Sequence, residues 1–343
     1  MTESFQGKKA MLIGNGLNRL DSSQSFSWGN LLQQLKSTYK IDVDLDNFFK
    51  PFPLAFDEMQ HLKSGSNSLS SKLKVLKQNI KTEIEKQLAG KRGFNDYHQK
   101  LTSLDYDDIL TTNYDYSLER SIDPDFISQK HKFAQNKQER KFSLKRCYKL
   151  KSKTKFWHIH GELFDSRNHS MVSKSYPEES IMIGYEHYAH YLEKIQETVK
   201  GKSGTQKTDN QSLTVRIRNQ KPTISWTDIL FTHNVDIIGQ AIDFSENHLW
   251  WLFNYRANLI SAGISKNGVS INNRIRFFYA KLKSDNSIAL NNLNIDEIIW
   301  RKNSAQKSKA IAEVLKAFEI KAIEIECDTH EEFYEKLIDN YLK

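Results

Sequence analysis

The chain has 343 residues, 38% hydrophobic and 11% aromatic, enough apolar material to fill a core and too much for an intrinsically disordered polymer. Its formal net charge of +8, from 50 basic and 42 acidic side chains, permits contact with phosphates, nucleic acid or an acidic partner without selecting one. No run of about 18 apolar residues is present, which argues against a membrane-spanning helix. Two distant cysteines, Cys147 and Cys327, with no C-x-x-C, cannot build a four-cysteine zinc site. They read as two unpaired thiols. The polar stretch from Met1 to Ala10 lacks a signal-peptide plan, so the expected location is cytoplasmic.

In chain order, Lys9 to Gly14 reads as a short buried strand ending in glycine, followed by a turn over Gly14-Asn-Gly-Leu-Asn-Arg-Leu20. An amphipathic helix is expected from Ser27-Trp28, with Ser27 as its cap. From Asp46 to Leu88 the pattern is helical. Phe56, Met59 and Leu62 share one face, while Leu73, Leu76, Ile80 and Ile84 share another beyond a polar break. This part, about 45–100, reads as a helical insertion beside a sheet. Strands are then expected at Asp108–Thr112, at Lys155–His160 closed by Gly161, and at Ser180–Gly184. A helix over Tyr185–Val199 leads into a polar segment, 200–211, expected to be a mobile loop. Ile229–Phe231 and Val235–Gly239 bracket a further strand region, with a helix through Trp250–Ile260. Next come a strand at Arg274–Ala280, a helix at Lys307–Phe318, a strand at Lys321–Ile325 and a final amphipathic helix at Glu331–Tyr341. Strands alternating with helices imply a single α/β domain over 1–343, built on a doubly wound parallel sheet.

Charge is unevenly spread. Between Gln129 and Lys155 lysines and arginines face a single acid, Glu139, whereas the chain from Glu319 onward is acidic. The basic run reads as a solvated face, or else as contact for an acidic partner. With no helix-turn-helix, zinc finger or RNA-binding signature beside it, nucleic acid is not expected.

The chemistry-bearing residues sit at strand ends. Gly14-x-Gly16 follows the first strand and precedes a helix, where bare backbone admits a diphosphate and helix N–H groups meet it. Arg19 occupies the third position of a G-x-G-x-x-G pattern, so the motif is also readable as a simple tight turn. Thr111-Thr-Asn-Tyr-Asp115 closes a second strand and His158-Ile-His160-Gly161 a third, so an amide, a carboxylate and an imidazole can converge on one crevice. Asn113 and Asp115 could alternatively cap a helix. His158 and His160 would share one face of a strand, but with no third ligand evident no metal is expected there, and His158 reads as a packing residue.

These motifs resemble the sirtuin-like superfamily, more narrowly the bacterial sirtuin-like NADases of antiphage defence. The matching residues are Gly14-Asn-Gly-Leu-Asn18, Ser27-Trp28 with Leu31-Leu32, Thr112-Asn-Tyr-Asp115 and His160-Gly161, with weaker matches at Gly184-Tyr185, Tyr188 and Val235–Gly239. The resemblance implies a Rossmann-like doubly wound parallel sheet with a helical insertion and no zinc ribbon. It implies that Gly14, Asn15, Gly16 and Asn18 hold the phosphates and nearby ribose of NAD, the substrate. Asn113 would position the attacking water, Asp115 would support the ribose, and His160 would act as general base. The implied reaction cleaves the nicotinamide–ribose N-glycosidic bond in abortive-infection defence, under a separately encoded regulatory protein partner or an oligomer whose assembly opens the site. The chain departs from the family in the Gly14-Asn-Gly16 start, in Asn18 where serine is common, and in lacking the four zinc-ribbon cysteines, which disfavours deacylation. The alternatives are a non-catalytic module that senses NAD or ADP-ribose and regulates a partner, or an ADP-ribosyl transferase or deacylase acting on a protein.

Overall fold

Strand formation starts where β-branched and long apolar residues run without a polar break. Met11, Leu12 and Ile13 in β1 (Lys9–Ile13) are fully buried, and their side chains alternate between two faces. The computed structural model describes residues 7–20, 28–45, 50–64, 94–135, 144–150, 153–162, 181–202, 210–221, 223–283 and 295–343. After β1 come α1 (Trp28–Tyr39), α2 (Phe52–Ser64), α3 (Asp96–Thr102), β2 (Asp108–Thr111), α4 (Ser117–Ile122) and α5 (Phe126–Phe133). Then follow β3 (Ala134–Gln135), β4 (Cys147–Lys149), β5 (Lys155–His158), α6 (Tyr185–Lys200), α7 (Leu213–Arg218) and α8 (Trp226–Thr232). The chain continues through β6 (Asn234–Ile238), α9 (Asn247–Asn267, broken at Gly263 with φ 64°), β7 (Ile275–Leu282), α10 (Ile295–Ala317), β8 (Ile320–Cys327) and α11 (His330–Leu337). A π-helical turn over Ile338–Leu342 follows α11.

The strands form one eight-stranded sheet in the order β3-β4-β5-β2-β1-β6-β7-β8. Pairs from β5 to β8 are parallel, while β3–β4 and β4–β5 are antiparallel, so the sheet is mixed rather than wholly parallel. The two antiparallel strands, of two and three residues, are too short to leave a readable pattern, and they lie in the basic stretch. Starting at β1, the chain lays down β2 and β5 on one side, then returns to place β6, β7 and β8 on the other. Winding therefore reverses beside β1, the position at which open α/β sheets take their ligands, beyond the carboxyl ends of the strands.

Two apolar layers cover the sheet. Ala10, Leu12, Trp157 and Ile237 face a layer built with Ile195 of α6, Trp226 of α8, Phe253 of α9 and Leu315 of α10. Met11, Ile13, Ile109 and Phe156 face the other, built with Leu101 of α3, Leu118 of α4, Phe126 of α5 and Phe333 of α11. Cys147 and Cys327 fall in different layers and form no disulfide with each other. Among the described residues no helix is long and apolar enough to cross a membrane.

Several expectations are corrected. Ile229–Phe231 lies in α8, not in a strand. Ser225 Oγ accepts the Thr227 N–H, opening a helix whose residues are all buried, so no amphipathic alternation marks it. Ser180–Gly184 forms no strand among its described residues; Ile181 makes a single antiparallel bridge to Gly161. The Lys155–His160 strand ends at His158. Phe56 and Met59 are buried as expected, but Leu62 is 54% exposed. α1 and α2 close a third cluster with Tyr114, Ile181 and Ile183. The second helical face, Leu73–Ile84, and the Ser27 cap lie outside the described residues, as does 203–209 of the polar loop.

Candidate active site at the strand ends

The carboxyl end of β1 runs into Gly14–Leu17 against the end of β6. Gly14 N–H donates to Ile238 O (3.0 Å) and Gly16 N–H to Gly239 O (2.9 Å). A Cβ on Gly14 would strike Gln240 and Gly239, and one on Gly16 would strike Gly239 and the Tyr334 hydroxyl. Both positions thus need glycine for backbone packing alone, apart from any ligand. Gly239 has φ +60°, a left-handed conformation that glycine holds without strain.

Asn18, in the 3-10 turn Leu17–Arg19, is the hub of a polar network. Its Nδ2 donates to Asp115 Oδ2 (2.8 Å) and to Asn15 Oδ1 (3.1 Å). Its Oδ1 faces His98 Nε2 at 2.9 Å. With that acceptor opposite, Nε2 carries the His98 proton, and Nδ1 accepts the Asn95 backbone N–H at 3.1 Å. Burial pushes the His98 pKa down to about 4, against the pull of Asp115, so this imidazole is neutral. Asp115 Oδ1 accepts the Ser117 N–H (2.8 Å) at the start of α4. Tyr116 is the cap residue of α4, so Asp115 closes an Asx turn just ahead of the helix, while its second oxygen holds Asn18.

Asn113 sits at the end of β2, 5% exposed. Its N–H donates to Thr111 Oγ1 (3.0 Å), and its Nδ2 donates to Gly14 O (3.3 Å), which ties it to the glycine turn. Its Oδ1 is buried with no hydrogen-bond partner among the described residues. That is an unmet acceptor beside a bare backbone turn. Its main-chain oxygen accepts from His158 Nδ1 at 3.0 Å.

His158 and His160 do not share a face. His158 points into the layer of Tyr116 and Tyr148, with ring centroids 5.1 Å and 6.1 Å away. Its Nε2 lies 2.7 Å from Glu119 Oε1, so both ring nitrogens face acceptors. Burial alone would lower its pKa, but the charge and hydrogen bond of Glu119 outweigh it and raise the value to about 9. His160 lies past the strand end, where the chain turns, and faces the opposite layer. Its Nε2 is 3.2 Å from His248 Nε2 and 3.1 Å from Glu246 Oε2, and the Tyr188 ring lies 5.8 Å off. Burial and the neighbouring His160 push the His248 pKa well below its ordinary value.

The structure thus gathers Gly14, Asn15, Gly16, Asn18, Asn113 and Asp115 into one bonded group and seats His160 in a second one. Sequence reasoning missed His98, Glu246 and His248. His98 carries one weak signal: with Asn95 it forms a reciprocal cap three residues apart. Glu246-x-His248 enters from the start of α9, with no spacing relation to His160. Of the secondary motifs, Gly184 adopts φ +81° and precedes Tyr185, whose N–H donates to Asp57 Oδ2 (2.8 Å), locking α2 onto α6. The side chains of Trp28 and Leu31 lie outside the described residues.

A scan against protein-family models matches none, and a search of curated proteins returns no significant match.

Proposed function

We propose that the chain is an NAD hydrolase of the sirtuin-like type, on a Rossmann-like doubly wound sheet without a zinc ribbon. The carrying observation is the buried, unpartnered Oδ1 of Asn113, held beside the Gly14–Gly16 turn by its own amide bond to Gly14 O. The parallel strands run in the order expected of a dinucleotide-binding sheet, and this group lies where winding reverses.

In this reading the diphosphate of NAD lies along Gly14, Asn15 and Gly16, and Asn18 meets the adjoining ribose. Asn113 Oδ1 accepts a hydrogen bond from water and aims its oxygen at the anomeric carbon. The C–N bond to nicotinamide breaks, leaving an oxocarbenium-like sugar, and water adds to the vacated carbon. His160 takes the water proton as general base; the products are nicotinamide, ADP-ribose and a proton. Asp115, with one oxygen on Ser117 and the other on Asn18, acts on the sugar chiefly by orienting the Asn18 amide.

Asn113 and His160 are only 5% and 3% exposed. A buried site supports control by a separately encoded partner protein, or by assembly of an oligomer that moves the covering elements. Continuous NAD hydrolysis would be toxic, which fits a role in abortive antiphage defence.

The test is chromatography of nicotinamide and ADP-ribose after incubating purified protein with NAD, alone and with neighbouring gene products. Turnover that disappears in Asn113→Ala and His160→Ala is the expected result. Absence of turnover in every mixture sinks the reading, and tight binding of intact NAD without turnover favours a sensor. Adenine-labelled NAD that marks protein instead of releasing free product indicates transfer.

A further inference from the structure

The group around His160 is built as a ligand set. The turn after β5 supplies His160, and the segment entering α9 supplies Glu246 and His248. One donor atom from each of the three lies within 4.8 Å of the others. His160 Nε2 lies 3.1 Å from Glu246 Oε2 and 3.2 Å from His248 Nε2. Zinc bonds of about 2.0–2.2 Å at tetrahedral angles put neighbouring donors roughly 3.3 Å apart, close to these separations.

Hydrogen bonding leaves the group unsatisfied. Despite its approach to His160, Glu246 Oε2 has no hydrogen-bond partner among the described residues, and neither has His248 Nδ1, on a side chain 1% exposed. Both ring nitrogens of His248 face the group: Nε2 towards His160 and Nδ1 towards Glu246 Oε2 at 3.7 Å. At 3.7 Å the His248 Nδ1 does not reach Glu246 Oε2 as a hydrogen bond, whereas a cation held by Glu246 Oε2, His160 Nε2 and one nitrogen of His248 gives the buried carboxylate oxygen the partner it lacks. Tyr188, Tyr191 and Trp226 surround the His248 ring, with centroids 5.7, 5.6 and 6.3 Å away, and limit its rotation.

We propose that His160, Glu246 and His248 bind one divalent transition-metal ion of the zinc class, and that the bound ion occupies the His160 lone pair and so silences it as a base. Two imidazoles and one carboxylate suit zinc, iron or nickel far better than magnesium or calcium, which prefer oxygen. The metal site stands on its own geometry; only its inhibitory consequence rests on the hydrolase reading.

Chelator-stripped full-length protein is titrated with zinc chloride against a chromophoric chelator, with circular dichroism as the check of folding. One zinc per chain is expected, with affinity at least about tenfold weaker in Glu246→Gln and in His248→Gln. His190→Ala, which alters an exposed histidine beside Glu193, leaves it unchanged. Cobalt(II) in the wild-type chain gives the visible bands of tetrahedral nitrogen–oxygen coordination, a readout independent of how the variants fold. Failure of the wild type to hold one equivalent, equal affinity in both site variants, or a cobalt spectrum of octahedral water coordination overturns the site. NAD turnover is then compared between stripped and zinc-loaded protein. Turnover only when stripped is expected, and equal turnover in both sinks the silencing. If neither form consumes NAD under any activating condition, the hydrolase reading fails while the zinc result stands.

Discussion

His158 and His160 lie two residues apart at the end of β5, yet the fold gives them opposite surroundings. His158 is closed on both sides: Glu119 takes one ring proton, Asn113 O takes the other, and aromatic rings box it in. It braces the β2 end through the main chain of Asn113. His160 shares its edge with a second imidazole and a carboxylate whose facing oxygen has no hydrogen-bond donor among the described residues. Both ring nitrogens of His158 have acceptors, although the second Glu119 oxygen, Oε2, has no partner among the described residues; at His160 the atoms without one are Glu246 Oε2 and His248 Nδ1. Residue type alone cannot separate the two histidines. Their partners do.

The largest expected separation between them is catalytic. His160→Ala lowers activated NAD turnover by roughly 10²–10⁴-fold, the usual contribution of a general base, with the melting temperature within a few degrees of wild type. Comparable loss from an exposed control such as His190→Ala would break the contrast. Next comes stability at His158. Glu119→Gln leaves a buried imidazolium without its counter-charge and costs about 3–5 kcal/mol in urea unfolding at neutral pH. Because His158 titrates at about 9 in the folded state, above its ordinary 6.5, its stabilisation is complete below pH 6.5 and is lost as pH rises through about 9. That alkaline slope disappears in Glu119→Gln; its persistence would show that another group carries it.

His98 gives the reverse sign. Its folded pKa of about 4 lies below the ordinary 6.5, so the unfolded chain binds the extra proton first, and stability falls as pH drops from 6.5 to about 4. The loss is at most about 3 kcal/mol, from 1.36 kcal/mol per pKa unit. His98→Gln, which keeps a donor for Asn18, flattens that limb in acid unfolding curves. The smallest effect is expected at Gly16→Ala. Contact with Gly239 and the Tyr334 hydroxyl costs about 1–3 kcal/mol in thermal unfolding without any nucleotide. An unchanged melting temperature would mean that the turn yields and that glycine there serves only the ligand.

Local pattern was enough for most of the elements, because apolar periodicity and glycine punctuation are properties of adjacent residues. β1, β2, β6, α6, β7, the second half of α10 and β8 are legible this way, and so are the strand-end positions of Gly14, Asn113 and Asp115; the first half of α10, from Ile295, is not. Pattern failed where burial was uniform or segments were short. α8 is buried on every side and reads like a strand, and β3 and β4 span too few residues to show alternation.

By itself, the amino-acid sequence determined the α/β alternation, the glycine turn and the side chains waiting at strand ends, since each follows from backbone freedom and hydrophobic period over a few residues. Only the tertiary structure decided who meets whom. Asn18 reaches Asp115 across 97 positions and His98 across 80, and His160 meets His248 across 88. Such pairings depend on strand order and on the end of β5, where one turn sends His160 away from His158. No local spacing encodes that choice, because it is made by the packing of the two layers on either side of the sheet.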